Sequence, residues 1–343
     1  MPGKRPLISV VIPVYNDSEN LRRCLEALRG SIVRDFEVIV VDDGSADDSS
    51  QIAREAGAEV LRTGRRMGPA AGRNLGARNA AAPLLFFLDA DVCAHPDTLG
   101  HAVDELNAHP EVAAVIGSYD ASPSDERFIS QYKNLFHRFV HQTARREAGT
   151  FWTGCGAIRR DVFIGMGGFD TSFKRPSIED IELGVRMVRA GHRIVLCPRM
   201  QVKHRKRWTL VGLVRTDLMD RAIPWTQVIL RSQCVPDDLN LKQGQRVSAA
   251  LACALIPAVG AAVALRSLVA AAIATVILAA VLVLNKDLYR FFAGERGLWF
   301  AIRAVPLHLL YYLYSVLGFG LGLVVHIKGT AFSRSVGERI GPE

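Results

Sequence analysis

Two aspartates separated by one alanine, Asp89 and Asp91, follow directly on the apolar run Leu84-Leu85-Phe86-Phe87-Leu88. Carboxylates this close repel one another unless a cation relieves them. Oxygen ligation of that kind suits Mg2+ or Mn2+, whose remaining positions go to water and substrate phosphates. The local alternative is that both acids simply precede a helix opened by His95-Pro96-Asp97. A second acidic group, Glu179, Asp180 and Glu182, either complements a helix dipole or serves a site together with the glycine-rich stretches Gly154-Cys155-Gly156 and Gly167-Gly168-Phe169-Asp170. Pro13 and Tyr15 close one strand-like run, and Asp42-Asp43-Gly44-Ser45 closes another. Met67-Gly68-Pro69 breaks the chain before a helix that carries Arg73 in its first turn. There the arginine holds a phosphate, stacks on a base, or is a structural surface charge. His204 stands among bases in Lys203-His204-Arg205-Lys206-Arg207, where a lipid-facing patch is the competing reading.

These residues need elements to bring them together. Strand-like runs at Leu7–Val14, Phe36–Val41, Glu59–Arg62, Leu84–Leu88 and Val112–Ile116 alternate with helical runs at Ser18–Arg29, Asp47–Ala56, Ala70–Ala81 and Asp97–Ala108. That alternation predicts an α/β fold with a doubly wound, mostly parallel sheet, whose ligands bind beyond the carboxyl ends of the strands. The pattern loosens through a polar stretch between 120 and 149. It recovers with strands at Gly154–Ile158 and Arg193–Cys197, the latter ended by Pro198, and a helix over Asp180–Ala190.

With 49% hydrophobic and 22% charged residues the chain is globular rather than disordered, and its net charge of +8 is unevenly placed. Residues 203–246 hold nine Lys/Arg against four Asp/Glu. A belt of that sign fits nucleic acid, anionic lipid or phosphate-bearing substrate, and the apolar segments C-terminal to it favour lipid. Val247 to Leu284 is a run of 38 residues with one charge, Arg266, read as a helical hairpin turning near Arg266-Ser267. A third apolar segment spans Val305 to Ile327. The alternative is buried helices of a water-soluble core. The reading is an integral membrane protein with a catalytic domain at 1–208, a basic amphipathic interfacial segment at 209–246, transmembrane helices at 247–327 and a tail at 328–343. Within the interfacial segment, Thr209 to Ile223 places Arg215, Asp217 and Arg221 opposite an apolar face. The positive-inside rule puts the large N-terminal part in the cytoplasm, while Lys328, Arg334 and Arg339 would conflict with that rule if all three segments crossed. Six cysteines show no zinc-ligand spacing and read as reduced thiols, and the N-terminus does not read as a signal peptide. No nucleic-acid partner is expected.

Taken together, VVIPVYND, VVDDGS, GPAAGRNLGARNA, FFLDAD, GGFD and EDIELGVRM resemble the inverting family-2 glycosyltransferases of GT-A fold, over about residues 6 to 207. The resemblance implies a nucleotide-diphosphate sugar donor and a lipid-linked or glycan acceptor at the inner (plasma) membrane. It implies nucleotide contacts from Pro13, Tyr15, Asp43 and Arg73. Asp89 and Asp91 would hold Mg2+ or Mn2+ on the donor diphosphate, with help from His204, and Asp180 would be the general base with Glu179 beside it. Processive polymerases of the family carry a Gln-x-x-Arg-Trp motif. Here only Lys206-Arg207-Trp208 and Arg221-Ala222-Ile223-Pro224-Trp225 approach it, which argues against a chain-extruding synthase. A sugar nucleotidyltransferase would need a glycine-rich phosphate loop near the N-terminus, and Val11 to Asp17 offers none.

Overall fold

The computed structural model describes residues 5–232 and 242–337. Cys234, residues 233–241 of the basic segment, and the end of the tail at 338–343 lie outside the described residues. The chain divides into two compact units, with the division between Trp208 and Thr209.

The first unit runs β1 (Ile8–Val14), α1 (Ser18–Arg29), β2 (Phe36–Asp42), α2 (Ser49–Glu55), β3 (Glu59–Arg62), α3 (Pro69–Asn79), β4 (Leu84–Phe87) and β5 (Val92–Ala94). It continues with α4 (Thr98–Ala108), β6 (Val112–Tyr119), α5 (Phe128–Thr143), β7 (Gly156–Arg159), α6 (Arg160–Gly165), α7 (Glu179–Arg189) and β8 (Arg193–His204). The strands form one sheet in the order β3-β2-β1-β4-β7-β6-β8-β5. β3, β2, β1 and β4 pair in parallel, as do β6 and β8. β7 enters antiparallel between β4 and β6. This is the mostly parallel α/β sheet that the alternating pattern predicts.

Alternate residues of the central strands feed two separate cores, one on each face. Val10, Ile12, Val40 and Phe86 join Leu21, Leu25 and Leu28 of α1 and Leu99 and Leu106 of α4 on one side. Val11, Ile39, Val41 and Phe87 join Ala70 and Ala77 of α3 and Leu183 and Met187 of α7 on the other. A strand buried on both faces has no polar side to show, which is why β4 reads as an unbroken apolar run.

Three elements depart from the sequence reading. α5 fills part of the stretch from 120 to 149, where no element is expected. Its buried face mixes Tyr132, Leu135 and Phe136, which fall at helical spacing with Phe128 and Phe139, with the polar Ser130, Gln131, Asn134 and His141. Those polar groups find tertiary partners: Asn134 donates to the Asp120 carbonyl at 2.9 Å, and the His141 ring meets the Gly117 carbonyl at 2.8 Å. β8 does not end at Pro198. Between the pairs Ile116↔Leu196 and Ser118↔Gln201 it carries three more residues than β6, so Pro198 sits in an irregularity of the ladder where its missing N–H is tolerated. β5 is a three-residue strand held in the sheet by pairing with β8.

The second unit opens with α8 (Leu210–Arg215), a π-helical turn (Thr216–Ala222) and α9 (Ile223–Ser232). The wider turn shifts the helical register that residue spacing assumes. Asp217, expected on the outer polar face, is instead buried, accepting from Arg221 and from the Tyr314 hydroxyl at 2.8 Å each. α10 (Gln243–Ala264) and α11 (Leu268–Leu284) come next, joined through Arg266, which takes a left-handed φ of 47°, and Ser267, which caps α11. α12 (Lys286–Arg296) and α13 (Leu298–Gly337) complete the unit. Among the described residues two helices are long and apolar enough to cross a membrane, Gln243–Ala264 and Leu298–Lys328. A third span results if α11 and α12, bent by 67°, are counted as one.

Candidate active site

The site forms at the carboxyl ends of β1, β2 and β4. Pro13 lies near the end of β1, two residues beyond the last pairing with β4 at Val11, and Tyr15 stands at the rim, 38% exposed. The Arg66 guanidinium lies over the Tyr15 ring at 4.2 Å. Asp43 is the residue after β2, and its carboxylate accepts from the backbone N–H of Met67 and Gly68, at 2.8 Å each, and from the Thr63 hydroxyl at 2.9 Å. That clamp seats the turn into α3. Gly68 has a φ of 96°, and a Cβ there would stand 2.6 Å from the Lys174 carbonyl oxygen, so only glycine fits the turn without movement.

Asp89 and Asp91 lie in the turn between β4 and β5. The antiparallel register pairs Val92 with His204, and this brings the imidazole beside the second acid: His204 Nε2 is 3.7 Å from Asp91 Oδ2. His204 stacks on Tyr119 at 4.4 Å, with the rings within 11° of parallel. Burial works against ionising Asp91, but the His204 imidazole and the Lys206 ammonium outweigh it and hold the carboxyl below the usual range. Asp89 turns the other way. Its Oδ1 accepts from Arg73 Nη2 at 2.6 Å. The expected three-residue metal set of Asp89, Asp91 and His204 is therefore not assembled. Among the described residues no group of three or more His, Cys, Asp or Glu side chains is arranged to hold an ion.

Asp180 stands in the first turn of α7. Its Oδ2 accepts from the Thr153 backbone N–H at 3.0 Å and from the Thr153 hydroxyl at 3.2 Å, and its Oδ1 accepts from the Ile181 N–H. Close approach of α7 to that loop requires Gly184, where a Cβ would lie 2.1 Å from the Phe151 nitrogen. Burial first, and the Glu179 carboxylate second, push the Asp180 carboxyl up to about 6. Glu179 itself is buried, accepting from Arg73 Nη1 at 2.7 Å and from the Ser177 N–H.

Arg73 thus joins the Asp89 turn to the head of α7, so acids of two distant motifs share one guanidinium. Its guanidinium is 4% exposed and occupied by two carboxylates. Burial opposes its charge, but Asp89 and Glu179 offset that effect and raise its pKa. Sequence reasoning does not find Thr153, Tyr119 or Arg66. The glycines of Gly154-Cys155-Gly156 are the available signal for Thr153, whereas Tyr119 and Arg66 come to the site only through tertiary structure.

A mostly parallel α/β sheet with these acids at its carboxyl edge has the GT-A architecture. Residues 9–167 match the profile of Glycosyl transferase family 2. It is similar to a validoxylamine A glucosyltransferase of Streptomyces hygroscopicus subsp. jinggangensis, 33% identical over 54% of this chain and 53% of that one. It is also similar to an undecaprenyl-phosphate 4-deoxy-4-formamido-L-arabinose transferase of Klebsiella pneumoniae, 27% identical over 46% of this chain and 50% of the relative. The chain thus spans about half the length of these curated relatives. Among solved structures, a mannosyltransferase of Pyrobaculum calidifontis in complex with GDP-Man and Mn2+ shares the fold, with a TM-score of 0.60, 23% identity and coverage of 88% of this chain and 87% of that one.

Proposed function

We propose that the protein transfers a sugar, with inversion, from a nucleotide-diphosphate sugar to a hydroxyl or phosphate oxygen of a lipid-linked or otherwise membrane-associated acceptor. The observation that carries this reading is the pairing of Asp89 and Glu179 on one guanidinium, Arg73, which ties the Asp89–Asp91 turn to the head of α7 where Asp180 stands. Asp180 has the properties of a general base. Its carboxyl titrates at about 6, so it is ionised near neutral pH yet basic enough to accept a proton. Thr153 fixes its orientation through two hydrogen bonds to one oxygen. A displacement aided by one base needs no covalent intermediate, and the anomeric centre inverts.

Asp91 suits a divalent ion: its carboxyl is held below the usual range and is partly exposed, with His204 close by. Two protein groups are enough for Mg2+ or Mn2+ when diphosphate oxygens and water supply the remaining positions. Such an ion would neutralise charge on the departing diphosphate. Tyr15, Pro13 and Asp43 border the place where the nucleoside would lie, with Arg66 added by the structure. The undecaprenyl-phosphate relative and the apolar helices support a lipid-linked acceptor and a multi-pass protein of the inner membrane with the catalytic unit on the cytoplasmic side.

Native membranes containing the full chain are incubated with a panel of radiolabelled sugar nucleotides and Mn2+ or Mg2+, then partitioned between organic and aqueous phases. Label is expected in the lipid fraction. It should disappear with Asp91→Ala and with Asp180→Asn while both variants remain folded. Wild-type turnover in the Asp180→Asn protein would refute the assignment.

A further inference from the structure

Among the described residues, Arg73 is the buried cation that touches both acidic motifs. Nη2 reaches Asp89 at 2.6 Å and Nη1 reaches Glu179 at 2.7 Å, and the residue packs against the Phe169 ring with 5.7 Å from its guanidinium carbon to the ring centroid. Its Nε is enclosed as well and has no hydrogen-bond partner among the described residues. The next residue on α3, Asn74, exchanges two hydrogen bonds with the Phe169 backbone, at 2.8 and 2.9 Å, so the helix that carries Arg73 is seated against the Gly167-Gly168-Phe169 loop. A planar fork with two carboxylates at its tips fixes their separation, which a flexible ammonium does not.

We infer that Arg73 is a positioning residue, whose guanidinium and the Glu179 carboxylate set the placement of Asp89 relative to Asp180 rather than contacting nucleotide or acceptor. This inference rests on the proposed function of the same site. Glu179 then belongs with Arg73: both its oxygens accept bonds from within the protein, and it is 3% exposed. The pair also sets the charge around Asp180, since Glu179 opposes ionisation of that carboxyl and Arg73 favours it.

Arg73→Lys, Arg73→Gln and Glu179→Gln are compared in the full-length protein in detergent. Donor KM, kcat, the pH profile of kcat/KM, the metal-free melting temperature and calorimetric affinity for GDP and UDP are measured for each. In Arg73→Lys, kcat should fall by about tenfold to a hundredfold from misplacement, with donor KM and nucleotide affinity within about threefold of wild type. The acid limb of the pH profile should move up in Arg73→Gln and down in Glu179→Gln. Opposite movements of one limb are not a consequence of general loosening. If Arg73→Gln melts below the assay temperature, Glu179→Gln and Arg73→Lys still decide the matter. Loss of nucleotide affinity by about tenfold or more in Arg73→Lys with kcat retained would make Arg73 a ligand contact and overturn the inference. So would an acid limb that stays fixed in the folded charge-removing variants. Wild-type protein that transfers no sugar from any donor would instead overturn the functional reading beneath it.

Discussion

Asp180 is held between influences of opposite sign, and the balance has a kinetic signature. Burial and Glu179 raise its pKa, while the Thr153 N–H, Arg73 and the Ile181 N–H stabilise the ionised form, leaving it at about 6. A base works only when deprotonated, so kcat/KM should rise as pH passes through about 6 and level off above it, measured as initial transfer rate with saturating metal. Asp180→Asn should cost roughly 10²–10⁴-fold in kcat, the usual range for loss of a general base. Thr153→Val tests the support rather than the base. It removes the hydroxyl bond at 3.2 Å but keeps the backbone bond at 3.0 Å. A hydrogen bond to a charged group contributes about 1.5–3 kcal/mol, so activity should fall by about tenfold to a hundredfold. A Thr153→Val loss as large as that of Asp180→Asn would show that the hydroxyl touches substrate.

At the scale of elements, short strands and loops are kept in place by a few polar ties and close contacts. β5 and α4 are tied to the loop after β6 by His95, whose Nε2 is 3.0 Å from Asp120 Oδ2. The Asp120 hydrogen bond raises the His95 pKa above 6.5 in the folded chain. The stabilisation is therefore complete below about 6.5, the unfolded value, and is lost as pH rises through the higher folded value. The melting temperature of wild type relative to His95→Gln should narrow toward the alkaline side of that window, as followed by differential scanning fluorimetry. Gly184→Ala is a harsher change, because its Cβ meets backbone of the Thr153 loop, and overpacking costs about 1–3 kcal/mol. Melting temperature and transfer should fall together. The same elements show what sequence can reveal. β1, β2 and β4 are buried on both faces, and their apolar runs end in the acids and aromatic ring of the site, so motif and element are legible at once. In α5 the apolar spacing of Phe128, Tyr132, Leu135, Phe136 and Phe139 marks a helix, but the inward-facing Ser130, Asn134 and His141 take their meaning from partners outside it, which spacing does not show. Arg73 is legible as a site residue but not in its role, because pairing with Glu179 crosses 106 positions.

On the scale of the whole molecule, the two units solve different solvation problems. The first closes a core on each face of its sheet. The second leaves Leu268, Val269 and Val276 at 86%, 71% and 69% exposed, while Ser248, Asn285 and His308 are buried. Buried Asn285 donates to the Ser248 hydroxyl at 3.0 Å and accepts from the Tyr312 hydroxyl at 2.9 Å, and Tyr312 also reaches Gln245 at 2.7 Å. Polar residues turned inward and apolar residues turned outward are what a lipid environment selects. α10 has 22 residues, about 33 Å at 1.5 Å per residue, which matches a hydrocarbon core. Asn285→Leu should lower the melting temperature in detergent more than Tyr312→Phe, because it removes hydrogen bonds to three side chains, Ser248, Tyr312 and Gln245, while Tyr312→Phe removes two and keeps the Asn285–Ser248 bond. Membrane residence is tested on the full chain by washing vesicles with alkaline carbonate, which strips proteins held by charge alone. The chain should stay in the pellet at high pH and high salt, since screening weakens only the attraction of bases such as Lys206 and Arg207 for lipid headgroups. A chain ending at Trp208 should fold and leave with the wash. Release of the full chain would mean that α10, α11 and α13 bury their apolar surface against protein, and the acceptor would then have to be sought in water.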